Sequence, residues 1–420
     1  LKYLKLPVIV LVTLFYAFAL VVDRFAGVVY TLLLLSALIG IVLRAKPEGK
    51  SFLAMVKEYW PLMLTMATPL IAVLAHQLSV GHFVARSYDA QSRLALFALI
   101  FWAMLFIPIR YMAQVQWGLM LGVLLCAVKI YVLTDGGKTR YGTDFIPIIT
   151  FAQLVLLMGV FCVLSIGWNT TRSKLLAGLK IVMVCIGMYV AYLSQSRGVW
   201  ATIPVFVIIA GLVVRHIPSV YKFSIAVLFA VCIGGAFHYG SILKERIAVA
   251  ETDIKQYTSG TQVDTSLGIR FQLWHGSWIL FKEHPLFGVG IETYPKALNE
   301  LSERKVISPF SASLPHSHNE ILFMMARLGI FGLLSILAIY FVPLYYFARE
   351  VLHPDIQVRC AAGMGMSLSL GFFTLGLVDV VFLWWECYPY YAIGTAFFLT
   401  YIIKRKNQLA LQAAEQPVLA

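Results

Sequence analysis

The 420-residue chain is 60% hydrophobic and only 13% charged, with a mean hydropathy of +0.83, whereas a soluble domain carries about 45–50% apolar and about 25% charged residues. Because a water-facing surface still needs polar groups, this balance excludes a soluble globular protein. The formal charge of +13 lies in short Lys/Arg clusters between apolar runs, not in a basic stripe interleaved with aromatics. That placement suits lipid headgroups and topology rather than nucleic acid.

A membrane-spanning helix needs roughly 20 mostly apolar residues. Runs at 6–22, 27–43, 61–79, 94–109, 115–133, 145–167, 175–193, 198–214, 220–239, 321–347, 358–379 and 387–403 predict about twelve spans in an all-α polytopic bundle. The first run follows Lys2 and Lys5 without a small-x-small cleavage pattern, so it reads as a retained span. The first two, joined through Asp23-Arg24, also suit a hairpin. Lys and Arg are concentrated in alternate connections, at Arg44, Lys46, Lys50, Lys57, Arg110, Arg172, Lys174, Arg215, Lys222, Arg349 and Arg359. They outnumber Arg24, Arg86, Arg93, Lys138, Arg140 and Arg197 on the other side, which predicts that both termini are cytoplasmic.

One connection stands apart. The expected division is spans one to nine in 1–239, a loop in 240–317, spans ten to twelve in 318–403, and a cytoplasmic tail in 404–420. The parity puts the loop outside the cytoplasm, and long loops in compact proteins are usually functional. Ile247, Ala250, Ile254 and Tyr257 predict one amphipathic helix near 243–257. Leu267, Phe271, Trp274, Trp278 and Phe281 form an apolar stripe on a second, which His284-Pro285 ends. All six cysteines lie in or beside apolar runs and show no CxxC or His/Cys cluster, so they read as small apolar fillers.

Three outer positions carry candidate chemistry. Ser194-Gln195-Ser196-Arg197-Gly198 is a tight hinge in which Arg197 either snorkels to headgroups or binds a ligand. Arg270 borders the aromatic stripe; its position alone favours a solvated flank, but a guanidinium there also suits forked contacts to phosphate. Pro315-His316-Ser317-His318-Asn319-Glu320 opens span ten, with Pro315 suited to the first helical turn. Either a histidine caps the loop, or a neutral imidazole at the helix start accepts a proton from a hydroxyl. On a helix, His316 and His318 would stand about 200° apart, which argues against a shared metal ion. Asp379 ends span eleven at the outer rim, either as a plain interfacial residue or to orient a base or an Arg. Arg327 would face away from His318 on an ideal helix and is expected to pair internally. Gly288-Val289-Gly290 lacks a preceding strand and reads as a turn, not a dinucleotide loop. No Walker A motif or metal-binding carboxylate cluster is visible. Two Arg and one His suit transfer from an already activated lipid diphosphate.

In order, Ser196-Arg197-Gly198, Arg270…Trp274…Trp278, His284-Pro285-Leu286-Phe287-Gly288-Val289-Gly290 and His318-Asn319-Glu320-Ile321-Leu322 resemble the O-antigen ligase family. That family lies within the O-antigen ligase/polymerase superfamily. The resemblance implies a GT-C-like, metal-independent, inverting glycosyltransferase of the Gram-negative inner membrane, with its active site at the periplasmic face. It would move O-antigen from undecaprenyl diphosphate to a sugar hydroxyl of lipid A–core, with no cofactor, no ATP and no nucleic acid. By motif match, Arg197 and Arg270 would bind the diphosphate and His318 would activate the acceptor, with Asp379 as the supporting acidic residue. His316 takes no role from the resemblance. An O-antigen polymerase is the alternative within the superfamily. A protein oligosaccharyltransferase is expected to carry a further outer C-terminal domain, which the short tail after span twelve disfavours. A polyprenyl-lipid flippase, the alternative of another class, would show broken or charged helices at the midplane, where these spans read as clean.

Overall fold

A computed structural model describes residues 2–139, 142–168, 173–214 and 241–415. The ninth expected span, 220–239, lies outside the described residues. Those described form helices and turns without a strand, in keeping with a polytopic membrane bundle.

The chain begins with α1 (Lys2–Phe18) and α2 (Phe25–Val42), then α3 (Phe52–Glu58) and α4 (Trp60–Val80). Pro61 at the start of α4 and Gly81 in the left-handed region at its end mark its limits. Next come α5 (Asp89–Ala95), α6 (Phe97–Met104), α7 (Ile109–Met112) and α8 (Val115–Leu133). The run at 94–109, expected as one span, is thus two short helices. The chain leaves helical geometry at Leu96 and again before Pro108, and residues Phe97 and Ile100 to Ile107 are buried inside the bundle. Then follow α9 (Ile148–Leu164), α10 (Lys174–Leu193), α11 (Arg197–Trp200) and α12 (Ile203–Val213).

Seven of the described helices are long and apolar enough to cross a membrane, and α1 and α12 are shorter apolar helices. Burial separates centre from rim. The apolar stretch of α9 is 89% covered by protein, against 28% for α10, so α10 presents side chains to lipid and α9 does not. Close approach is built from small residues: a Cβ on Gly118 or Gly122 of α8 would stand 2.1 Å from a backbone oxygen of α1.

Outside the spans the chain forms α13 (Ser241–Ser259), α14 (Ser266–Glu283), α15 (Tyr294–Glu303) and the single turn α16 (Pro309–Ala312). Two of these match the expected pair; α15 and α16 are additional. The most buried face of α14 is not the apolar stripe. Gly268, Gln272, Leu273, Gly276, Ser277 and Leu280 are buried, while Trp278 is 45% exposed. Small residues bring this face close to its neighbours; Trp278 turns outward, while Phe271, Trp274 and Phe281 stay half-buried. Leu273, Leu280, Leu298 and Leu301 form a core with Phe323 and Ala326, which seats the loop on the bundle.

The last helices are α17 (Glu320–Ala348), α18 (Ile356–Gly376) and α19 (Cys387–Glu415). The expected tail from 404 continues α19 as far as Glu415. Span ten is not clean: α17 is broken at Gly329, with φ 63° and ψ −145°. The segment 285–290 seals the break. Val289 and Gly290 N–H donate to the Ala326 and Arg327 carbonyls, and Ile330 N–H donates to Pro285 O at 2.8 Å. A Cβ on Gly288 would stand 2.4 Å from Arg327 C, so the match needs glycine there. The turn read at Gly288-Val289-Gly290 is therefore a backbone splint.

Candidate active site

The start of α17 sets the site. Asn319 Oδ1 accepts from Leu322 N–H at 3.0 Å as N-cap, and its Nδ2 donates to Leu377 O at 3.1 Å, tying the helix to the end of α18. The helix starts at Glu320, so Pro315 and both histidines precede it. The helical argument that kept His316 and His318 apart therefore does not apply. His318 takes φ 52°, a left-handed turn that brings its ring to 4.3 Å from the His316 ring, centroid to centroid. The His318 N–H donates to His316 Nδ1 at 3.2 Å, which leaves that nitrogen unprotonated.

Asp379 completes the cluster. It is buried just beyond α18; its Oδ1 accepts from Val380 N–H at 2.9 Å and lies 3.6 Å from His318 Nδ1. That is a few tenths beyond a hydrogen bond, the range in which ligand-free catalytic contacts often sit. A carboxylate at Nδ1 favours the tautomer with Nε2 free to accept a proton. Burial acts to raise the Asp379 pKa, but the His318 and His316 rings and the Val380 N–H outweigh it, holding the carboxyl below its ordinary range. His316 is lowered to about 4, first by burial and then by the neighbouring His318 and Arg270. At neutral pH it is an uncharged imidazole.

Arg270, half-buried on α14, lies close enough for its charge to bear on His316, and its Nη1 donates to Ser266 O at 3.2 Å. One turn on, the buried Trp274 indole N–H has no hydrogen-bond partner among the described residues. The backbone of Arg197 opens α11, and a Cβ on the adjacent Gly198 would stand 2.7 Å from Val378 Cγ2, so this turn abuts the residue before Asp379. The Arg197 side chain lies outside the described residues.

Residues 181–337 match the family described as O-Antigen ligase. They span α10 to the first half of α17 and contain Arg197, Arg270, His316 and His318. That stretch of the chain is similar to the O-antigen ligase family. It is 27% identical to an O-antigen ligase of Escherichia coli (strain K12) over 235 residues, 55% of this chain and 53% of that protein. It is 26% identical to an uncharacterized protein of Haemophilus influenzae over 189 residues, 44% of this chain and 47% of that one. The chain thus spans about half the length of the curated relatives it matches.

Asp379 comes from outside the matched residues and reaches the cluster through α18. His316, which the sequence left without a role, sits at its centre. The signal was the His-x-His spacing, misread because the pair was placed on a helix. His316, His318 and Asp379 offer ligand atoms all within 4.8 Å of one another, a donor set that also suits a divalent transition metal. Arg327, expected to pair internally, has a buried Nε with no hydrogen-bond partner among the described residues; its guanidinium lies 4.3 Å from the centroid of the Phe323 ring.

Proposed function

We propose that this chain is an O-antigen ligase, moving glycan from undecaprenyl diphosphate to a lipid A–core hydroxyl. The observation that carries the reading is the His318–Asp379 pair, with Arg270 close enough to act on the adjoining His316, in a chain whose residues 181–337 match the O-antigen ligase family. In this reading, the protein is a multi-pass protein of the Gram-negative inner membrane, with both termini cytoplasmic and residues 240–317 in the periplasm. Spans one to nine and ten to twelve flank that loop.

His318 Nε2 takes the proton of the acceptor hydroxyl as its oxygen attacks C1 of the donor sugar from the face opposite the diphosphate. The C1–O bond to the diphosphate breaks, and the leaving group keeps the electron pair. The configuration inverts. Arg197 and Arg270 hold the charge that develops on the departing diphosphate, where preorganised cations act most strongly. Asp379 fixes the His318 tautomer and stabilises the imidazolium that forms. His316 stays neutral and holds the loop through the His318 N–H. Each step uses side chains alone, so the proposed reaction takes no metal and no cofactor.

The test is reconstitution of the purified chain with undecaprenyl-diphosphate glycan, offering lipid A–core and a second lipid-linked glycan as rival acceptors. Transfer to lipid A–core that survives a metal chelator is expected. Elongation of the second lipid-linked glycan instead would make the chain a polymerase, and loss of transfer on chelation would assign the His/His/Asp cluster to a metal. If neither acceptor is glycosylated while the donor is moved across the bilayer, the transporter reading takes over.

A further inference from the structure

A cavity of about 300 Å³ opens between α4, α5, α17 and the turn that follows Asp379. Its polar lining is Arg86, Gln91, Glu292, Glu320, Arg327 and Tyr388. Two of these, the Glu320 carboxyl and the Arg327 guanidinium, line the cavity without forming an ion pair. Glu320 is 1% exposed, and its Oε2 accepts from Phe382 N–H at 2.9 Å. Arg327 packs on Phe323, and its buried Nε has no hydrogen-bond partner among the described residues. Such groups are costly in a low-dielectric interior unless something occupies the space between them.

The cavity is joined to the catalytic cluster by backbone. Asp379 accepts from Val380 N–H and Glu320 from Phe382 N–H, so the two carboxylates grip neighbouring amides of one turn. Glu320 is also only two residues beyond His318. Arg270, by contrast, bears on the cluster through His316.

We propose that this cavity binds the acceptor sugar, a neutral polyhydroxyl ring that presents one hydroxyl to His318. The inference rests on the transferase reading. A sugar ring donates hydroxyl protons to Glu320 and Glu292, accepts from Arg327, Arg86 and Gln91, and lays its C–H face on Phe323 or Phe382, which also line the space. Ser87 Oγ already donates to Glu292 at 2.7 Å, which orients that carboxylate at the rim. The volume is at the low end of small-molecule pockets, about 300–1,000 Å³. It fits a sugar unit of the acceptor and not a length of polymer.

The test uses the full chain in proteoliposomes with undecaprenyl-diphosphate glycan and lipid A–core. Ala90→Phe fills the cavity from α5, and Arg86→Ala removes an exposed rim cation that forms no ion pair among the described residues. Each variant is expected to raise KM for lipid A–core by about tenfold or more while KM for the donor stays within about twofold, the loss of one charged hydrogen bond being of that size. An acceptor KM unchanged in Arg86→Ala overturns the proposal, whether or not Ala90→Phe folds. Binding of free core oligosaccharide, followed by saturation-transfer NMR, separates the two readings. A wild type that binds the oligosaccharide, with weaker binding by Arg86→Ala, yet transfers nothing keeps the pocket and removes the transferase. Transfer with acceptor kinetics untouched by the variants does the reverse.

Discussion

Two histidines and one aspartate hold most of the chemical argument. If His318 is the base, His318→Ala lowers transfer by about 10²–10⁴-fold with little change in donor affinity, the usual worth of a positioned acid–base group. Asp379→Asn keeps the shape but offers an amide where the ring needs an anion; a fall in kcat of about 10²-fold or more is expected in the same assay. An Asn variant as active as the wild type would leave Asp379 as a structural group. His316 makes a separate, thermodynamic prediction. Its folded pKa of about 4 lies below the ordinary 6.5, so the unfolded chain binds the proton first. Its stabilising contribution is whole above pH 6.5, drains away as pH falls toward 4, and changes no further below that. The unfolding temperature of the wild type in detergent should fall across that window. His316→Gln, with no proton to take up, should fall less. Equal slopes would show that acid acts elsewhere.

At the scale of elements, the broken helix α17 is the device that positions the site. Its first half, from Glu320 to Leu328, is capped by Asn319, sealed at its far end by residues 285–290, and packed against α14 and α15 through Phe323 and Ala326. Replacing the cap, Asn319→Ala, is expected to cost about 1 kcal/mol and to loosen the His318 turn. Gly288→Val is harsher, because it combines a positive φ with a contact of 2.4 Å to the Arg327 backbone. Destabilisation of about 2 kcal/mol or more is expected from overpacking of this kind, read as a lower unfolding temperature together with lost transfer. A Gly288→Val protein as stable as the wild type would mean that the splint yields freely. Much of this level was legible: helix α14 and its end at His284-Pro285 follow from periodicity and turn residues, whereas span ten opens at Glu320 and not at Pro315. The face that α14 buries was not, because Gly268, Gly276 and Ser277 add almost nothing to an apolar stripe, yet they decide which side fits closest to its neighbours.

At the scale of the whole molecule, the proposed orientation rests on the Lys/Arg bias and is open to a direct check. In a cysteine-free background, Thr261→Cys lies in an exposed turn of the long loop. An impermeant maleimide should label it in spheroplasts, where only the periplasmic face is open. Labelling only in inverted vesicles would reverse the topology. Glu48 supplies an internal companion to that test, since it binds Lys404 and Asn407 of α19 and so holds the α2–α3 connection against the end of the last helix, on the face expected to be cytoplasmic.

Composition and the spacing of apolar runs determined the membrane-embedded, all-helical class, because lipid leaves helices as the simplest way to satisfy every backbone group. The same reading located Arg197, Arg270, His318 and Asp379 as outer-face candidates, since charge at that depth is expensive and conspicuous. What the chain order does not contain is the distance between them. A single left-handed residue at His318 turned a pair expected on opposite sides of a helix into adjacent rings, and the packing of α18 brought in Asp379 from 61 positions away (379 − 318). The break at Gly329 and the placing of Arg327 beside the cavity likewise arise from contacts between segments that only the folded chain brings together. Periodicity reports one helix at a time; the cavity lies among several.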